Sequence, residues 1–370
     1  MVRAGRRRPL VGAVVVALAA VLAVTVAALD RSDAPPQPSA TEGQPATTDP
    51  TSAPATTASP APDDAPRAGR GALVTVAVAN VWKEPGMARP VDEPSVTNPV
   101  DLKRWVGAMT HEDKLWLVDH LVTQALYGER VGVQEVRDGW ARVVVTGQPS
   151  HLDPNGYPGW VPTVQLRAVE APVTPRWAVV TRPTATLRDA ADPARQLLEL
   201  SYNTRLPALD AGTNDVTVAL PTGGRGVVAA SDVDVRPPGP QPVSGTDLVR
   251  SAQLFSGLPY LWAGTSAVGF DCSGFTAAVY GVHGYVIPRD ADDQAGEGTP
   301  VERSRLQPGD LLFFSTGPDQ RSIHHVSMYV GNGMMIQAPA TGKTGETVPV
   351  DTPQYARQYW GARRYLPAGA

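Results

Sequence analysis

One cysteine, Cys272, in a chain of 370 residues limits how the fold can be held together. A single thiol allows no internal disulfide, so every folded part must rest on packing, and the thiol is either a small buried hydrophobe or a reactive group. The limit matters because the chain opens in the manner of an exported one. Arg3, Arg6, Arg7 and Arg8 precede an uncharged apolar stretch from Pro9 to Leu29. Residues 1–29 therefore read as a signal peptide or a membrane anchor: the stretch can cross a ~30 Å bilayer at ~1.5 Å per residue, while Val26, Ala27 and Ala28 offer small residues for a cleavage site. No cysteine lies near enough to carry a lipid. The net charge of -4 gives no reason to expect nucleic acid as a partner, and contact with a membrane is expected only through the N-terminal segment.

Residues 30–70 turn into Pro, Ala, Thr and Ser, as in ATTDPTSAPATTASPAP. Such a tract has too little apolar surface to offset the entropy of ordering, and reads as a disordered linker. Folded sequence begins at about residue 71. ALVTVAVANVW alternates apolar and polar positions, DLKRWVGAMTHEDKLWLVDHL has a mixed amphipathic pattern, and the short runs ERVGVQEV, GWARVVV and GWVPTVQL follow with Asp138-Gly139 and Asn155-Gly156 between them. Closely spaced strands over residues 71–168 imply a small β-barrel. A second β-rich unit, residues 172–236, offers WAVVTRP, ARQLLEL, VTVALP and RGVVAASDVDV; the two could be a duplication, yet no repeat is close enough to prove it. PPGPQP then marks a boundary.

Residues 244–368 read as helices followed by strands, hence α+β. Ser244 or Thr246 can cap a helix through DLVRSAQLF, and a second helix is expected from Cys272 to Gly281 or Gly284. GDLLFF, HHVSMYVG and MMIQAP are strand candidates. A thiol in the first turn of a helix lies beside unpaired N–H groups and the positive end of the dipole, so a lowered pKa is expected of Cys272. HVSMYV places His325, Ser327 and Tyr329 on one face. If Gly331 to Gly333 form a three-residue loop, Val330 faces Met334, Gln337 lies opposite Ser327, and His325 and Gln337 become diagonal neighbours on one face. An even-residue loop would part them. A glutamine carbonyl accepting from one imidazole nitrogen would fix the tautomer and leave the other nitrogen for the thiol. Nucleophile, base and orienter are the parts of a cysteine hydrolase. His324 points to the other face, and His111, His120, His151 and His283 show no metal-ligand spacing. No metal or cofactor is expected.

LPYLWAGTSAVGFDCSGF, IPRDADDQ, LQPGDLLFF and HHVSMYVGNGMMIQAP together resemble, in order and spacing, the NlpC/p60-type bacterial cell-wall cysteine peptidases, a branch of the papain-like fold. The resemblance implies Cys272 as nucleophile, His325 as general base and Gln337 as the third polar residue, with peptidoglycan stem peptides as substrate. ANVWKEPG, TQALYGERV and GQPSHLDPNGYPGWVP resemble the first SH3-like domain of the γ-D-glutamyl-L-diamino acid endopeptidases, which carry two such domains before the catalytic one and require a free N-terminal L-alanine. Tyr260, Asp271 and Ser273 match that subgroup's substrate contacts, as do Glu129 and Tyr157 from the SH3-like part. Asp271 has two readings, a partner for a substrate ammonium or the cap of the helix starting at Cys272. Ala291 stands where the subgroup often has serine. The expectation is thus a papain-like peptidase domain preceded by two small SH3-like β-barrels, secreted to the cell wall or tethered to the outer face of the cytoplasmic membrane. Its alternative is a wall-binding protein whose papain-like domain is inactive or performs acyl transfer or amide hydrolysis.

Overall fold

The computed structural model describes residues 64–169 and 174–367. The expected signal peptide or anchor and nearly all of the linker lie outside the described residues. Among the described residues, no helix is long and apolar enough to cross a membrane. The linker expected to run to residue 70 is already fastened at residue 64. Arg167 pairs with the Asp64 carboxylate at 2.7 Å, Ala168 N–H donates to the Asp64 carbonyl, and Gly69 N–H to that of Val133.

The first sheet comprises β1 (Gly71–Val74), β2 (Val78–Trp82), β3 (Leu121–Leu126), β4 (Arg130–Arg137), β5 (Trp140–Val145), β6 (Tyr157–Pro162) and β7 (Leu166–Arg167), in spatial order β3-β2-β6-β5-β4-β1-β7. Alternation puts Val131, Val133, Ala141, Val143 and Val145 inside, each large aliphatic side chain contributing about 1.5–3 kcal/mol by burial. Between β2 and β3, residues 83–120 carry α1 (Glu93–Val96), α2 (Leu102–Ala108) and α3 (His111–Trp116). This insertion is anchored by the buried Trp105, whose indole donates to Asp92 at 2.9 Å.

The second sheet comprises β8 (Trp177–Val180), β9 (Thr184–Asp189), β10 (Gln196–Ser201), β11 (Arg205–Ala211), β12 (Asp215–Ala219), β13 (Arg225–Ala229) and β14 (Val233–Arg236), ordered β10-β9-β13-β12-β11-β8-β14. Taken strand for strand this is the order of the first sheet. Topology therefore shows a likeness that the residues alone do not.

In the last unit Ser244 caps α4 (Gly245–Gln253) through a capping box with Asp247. A two-strand hairpin, β15 (Thr265–Ser266) and β16 (Gly269–Phe270), leads into α5 (Cys272–Val282). Gly284 then turns the chain at φ 85°, an angle suited to glycine. After α6 (Ala291–Gly296) come β17 (Thr299–Pro300), β18 (Leu311–Ser315), β19 (Ile323–Gly331), β20 (Met334–Gln337), β21 (Glu346–Pro349), α7 (Pro353–Gln358) and β22 (Tyr359–Arg364), in a six-stranded sheet ordered β17-β22-β18-β19-β20-β21. The architecture is α+β, as expected, and the six-stranded sheet holds three strands more than the sequence offered. Phe275 and Val279 of α5 share one core with Val326 and Met328 of β19 and Ile336 of β20, so helix and hairpin meet along the line that carries Cys272 and His325.

Candidate active site

The start of α5 is held by main chain. A Cβ on Gly274 would sit 2.1 Å from the Gly264 carbonyl oxygen, and Asp271 N–H donates to that same oxygen at 3.2 Å. Only glycine allows this approach. Asp271 is the N-cap, accepting from Gly274 N–H at 2.6 Å, which places Cys272 at the first helical position. Backbone N–H groups of Ser273 and of Val326, the residue after His325, face the sulfur.

The hairpin reaches the expected register by an unexpected route. Its loop is the two-residue turn Asn332-Gly333, both at positive φ, and Gly331 rather than Val330 pairs with Met334. An even loop alone would have put His325 and Gln337 on opposite faces. A bulge between Tyr329 and Gly331 restores the pairing of Tyr329 with Met335 and Met328 with Ile336, the extra residue shifting the register back by one. His325 Nε2 and Gln337 Oε1 are consequently 2.7 Å apart, both side chains buried. Phe314 lies 5.7 Å from the imidazole centroid and Tyr355 stacks on it at 6.0 Å. His324 is exposed.

The electrostatics depart from expectation. Burial, with the Asp271 carboxylate second, pushes the Cys272 thiol up to about 12, although the Val326 and Ser273 N–H groups and Arg289 pull the other way. Burial also takes His325 down to about 4, against the Gln337 hydrogen bond. Burial by the surrounding segments thus opposes the lowering expected from the helix start.

Asp271 fills the cap role. Besides Gly274 N–H it is bridged by the buried Arg289, whose two terminal nitrogens lie 2.6 Å from Oδ2 and 3.2 Å from Oδ1. The acid thus meets a substrate as one member of an ion pair. Ser273 Oγ accepts from Arg289 at 3.0 Å. Tyr260 is buried near the thiol, its hydroxyl pKa raised by burial and then by Cys272 and Asp271. Tyr157, from β6 of the first sheet, donates to Asp290 at 2.9 Å and comes within electrostatic reach of Arg289 and Asp271. Ala291, at the start of α6, is buried and offers no hydroxyl.

Glu129 is not brought to the thiol. It lines a cavity of about 680 Å³ between the sheets and the outer side of α5, together with Arg205, Trp177, Gly274 and Arg289 but not Cys272. Its Oε2 accepts from Leu126 N–H at 2.9 Å, and burial raises its pKa. It connects to the site only through intermediaries: Gln148 approaches Glu129 at 3.4 Å and accepts from Thr123 at 2.6 Å, and Thr123 Oγ1 accepts from Arg289 Nε at 2.9 Å. The sequence reading missed Arg289 and Thr123 as site residues. A charged residue after Pro288 in the apolar run YVIP was the only local sign of the first, and nothing local marked the second. Three potential metal ligands, His151, Asp292 and Asp293, do cluster, but Arg321 pairs with both acids at 2.6 and 2.7 Å and serves there as the cation.

The γ-D-glutamyl-L-lysine dipeptidyl-peptidase of Bacillus cereus is 42% identical to this chain over 308 residues, covering 80% of the chain and 91% of that protein. The chain belongs to the NlpC/P60 family. Residues 257–364 match the NlpC/P60 family itself, residues 119–166 the bacterial dipeptidyl-peptidase Sh3 domain, and residues 180–235 the YKFC SH3b2 domain. A second protein named γ-D-glutamyl-L-lysine dipeptidyl-peptidase, from Bacillus subtilis, is 37% identical over 293 residues, 79% of this chain and 97% of its own. The crystal structure of an NlpC/P60 family protein from Bacillus cereus superimposes with a TM-score of 0.77 at 42% identity, covering 80% of this chain and all of that one. Two SH3-like sheets thus precede an NlpC/P60 domain, as the motifs implied.

Proposed function

We propose that this NlpC/P60 protein is a cysteine peptidase that hydrolyses the γ-D-glutamyl to diamino acid bond of peptidoglycan stem peptides bearing a free N-terminal L-alanine. The observation that carries the reading is the contact of His325 with Gln337 on the strand whose next residue, Val326, turns its N–H to the Cys272 sulfur. The names of the two Bacillus relatives support the bond, and their match across both sheets supports the same overall arrangement.

Cys272 is the nucleophile, His325 the base and Gln337 its orienter. At rest the pair is neutral thiol and neutral imidazole. As the sulfur attacks the γ-carbonyl, its proton passes to the free nitrogen of His325; the tetrahedral intermediate collapses, and the departing amine of the diamino acid takes that proton. Water, deprotonated by His325, then attacks the thioester and releases the carboxylate and the thiol. N–H groups where α5 begins are placed to hold the oxyanion. Tyr157, Tyr260 and Ser273 border the substrate, Asp271 acts with Arg289 as a paired unit, and Glu129 lies behind them, joined to Arg289 through Gln148 and Thr123. The arginine-flanked apolar segment at residues 1–29 supports action outside the cytoplasm, at the cell wall.

The test is product analysis by mass spectrometry on L-Ala-γ-D-Glu-diamino acid peptide. Release of L-Ala-D-Glu by wild type, with turnover reduced at least ~10⁴-fold in a folded Cys272→Ala variant, is the expected result. Undiminished turnover by the variant, or a cut before L-alanine, sinks the proposal. N-acetylating the alanine should sharply slow cleavage, and equal rates on capped and free peptide would remove the amine requirement.

A further inference from the structure

The Gln337 amide is held from behind. Its Nε2 lies 2.9 Å from Glu346 Oε1 on the neighbouring β21 and 2.7 Å from the Tyr355 hydroxyl on α7, while its Oε1 faces His325 at 2.7 Å. Gln337 has no solvent-exposed surface, so no water competes for these positions. Tyrosine can donate or accept, and therefore tolerates either orientation of the amide. An ionised carboxylate can only accept. Glu346 thus dictates that the NH₂ end points to it and the carbonyl end to the imidazole.

We infer that Glu346 is a positioning residue, selecting through Gln337 the imidazole tautomer in which Nε2 carries the proton and Nδ1 is the base. A carbonyl at 2.7 Å from Nε2 requires a donor there, so the neutral ring keeps its one lone pair on Nδ1. With the amide reversed, NH₂ would face Nε2, the proton would move to Nδ1, and the ring could no longer accept from a thiol. A glutamine alone does not choose between these states, since its two ends are nearly the same size. Glu346 makes the choice, and it does so without placing a charge next to the imidazole.

The inference rests on His325 being the base, and the test separates the two ideas by including a readout that needs no turnover. Histidine-selective ¹⁵N NMR of the full chain at neutral pH should show His325 as the Nε2–H tautomer in wild type and in Tyr355→Phe. In Glu346→Gln, whose amide can donate as well as accept, a substantial Nδ1–H population should appear. On the peptide substrate, Glu346→Gln should lower kcat about tenfold or more, within the ~10²–10⁴-fold range of general base catalysis, with KM little changed. A wild-type ring carrying Nδ1–H overturns the inference even if no variant folds. A Glu346→Gln protein with wild-type tautomer and wild-type kcat overturns it as well. If the tautomer shifts as expected while neither protein cleaves the peptide, the proposed function fails and the positioning role stands.

Discussion

The two small sheets share one strand order and differ in what interrupts it. In the second, β9 passes to β10 through residues 190–195 and β12 to β13 through 220–224; in the first, the equivalent joints are residues 83–120 and 146–156. The first sheet meets the catalytic unit through the shorter of these joints and through the strands that border both. The longer is continuous with Leu121 and Thr123 of β3; the Leu121 carbonyl accepts from Trp262 at 2.9 Å, and Thr123 from Arg289. The other supplies Gln148 and His151, the latter bound to Asp293 at 2.9 Å, and delivers Tyr157. The second sheet touches the same unit elsewhere, with Arg205 on the Gly281 carbonyl and Ser201 Oγ accepting from Ala267 N–H at 2.8 Å. A common barrel is thus a carrier, and in the first sheet the strands that border its longer joints reach the catalytic unit.

The most severe way to break this comparison is Arg289→Met. It severs the first sheet from the start of α5 and leaves Asp271 buried without its partner, at a cost of about 3–5 kcal/mol. Denaturant unfolding should show that loss, and the folded fraction should turn over roughly 100-fold more slowly; wild-type values for both would mean that the joint is idle.

Acid sensitivity sharpens the contrast from the other side, because the neighbours of His325 that set its tautomer and stacking, Gln337, Phe314 and Tyr355, all come from the catalytic unit. With the imidazole at about 4, kcat/KM should hold as pH falls through ~6.5, the ordinary histidine value, and drop only near 4. A ring titrating at ~6.5 would retain only about 1% of the activity at pH 4.5, so the two cases differ by roughly 100-fold there. Stability follows the same window: with its folded pKa depressed, His325 leaves the fold most stable above ~6.5, and that contribution is lost as pH falls from ~6.5 to about 4.

Thr123→Val is gentler. It deprives Arg289 Nε and Gln148 of a shared hydroxyl, about 1–3 kcal/mol for buried groups left unpaired, and kcat/KM should fall about tenfold with the acid limb unmoved. The matched change in the second sheet, Ser201→Ala, should lower stability by about 1 kcal/mol and alter kcat less than about twofold. Equal kinetic effects of these two substitutions would erase the distinction between the sheets.

What the sequence made legible was local. Capping pattern and helix period located α5 with Cys272 at its start, alternation set the faces of β19 and β20, and turn spacing outlined both sheets. Each of these signals lies within a few residues of its effect. The nearby signals misled in two places. The helix start implied a lowered thiol pKa, whereas burial by distant segments raises it; and an odd loop was needed to bring His325 and Gln337 together, whereas a short turn and a bulge achieve the same register. Beyond reach were the pairs joined only by tertiary packing. Thr123 and Arg289 are 166 positions apart, and neither residue type declares the other. Glu346 was hidden in the same way, since a glutamate after a glycine-rich loop reads as a solvated charge.

Gly274, pressed against the carbonyl of Gly264, has a consequence for how such an enzyme diversifies. The start of α5 is fixed to the framework by main chain meeting main chain, so a side chain added at Gly274 would displace the peptide group beneath. Change in which peptide is accepted is thereby channelled to the periphery, where segments lent by the adjacent barrel can lengthen, shorten or be replaced while the chemistry stays put.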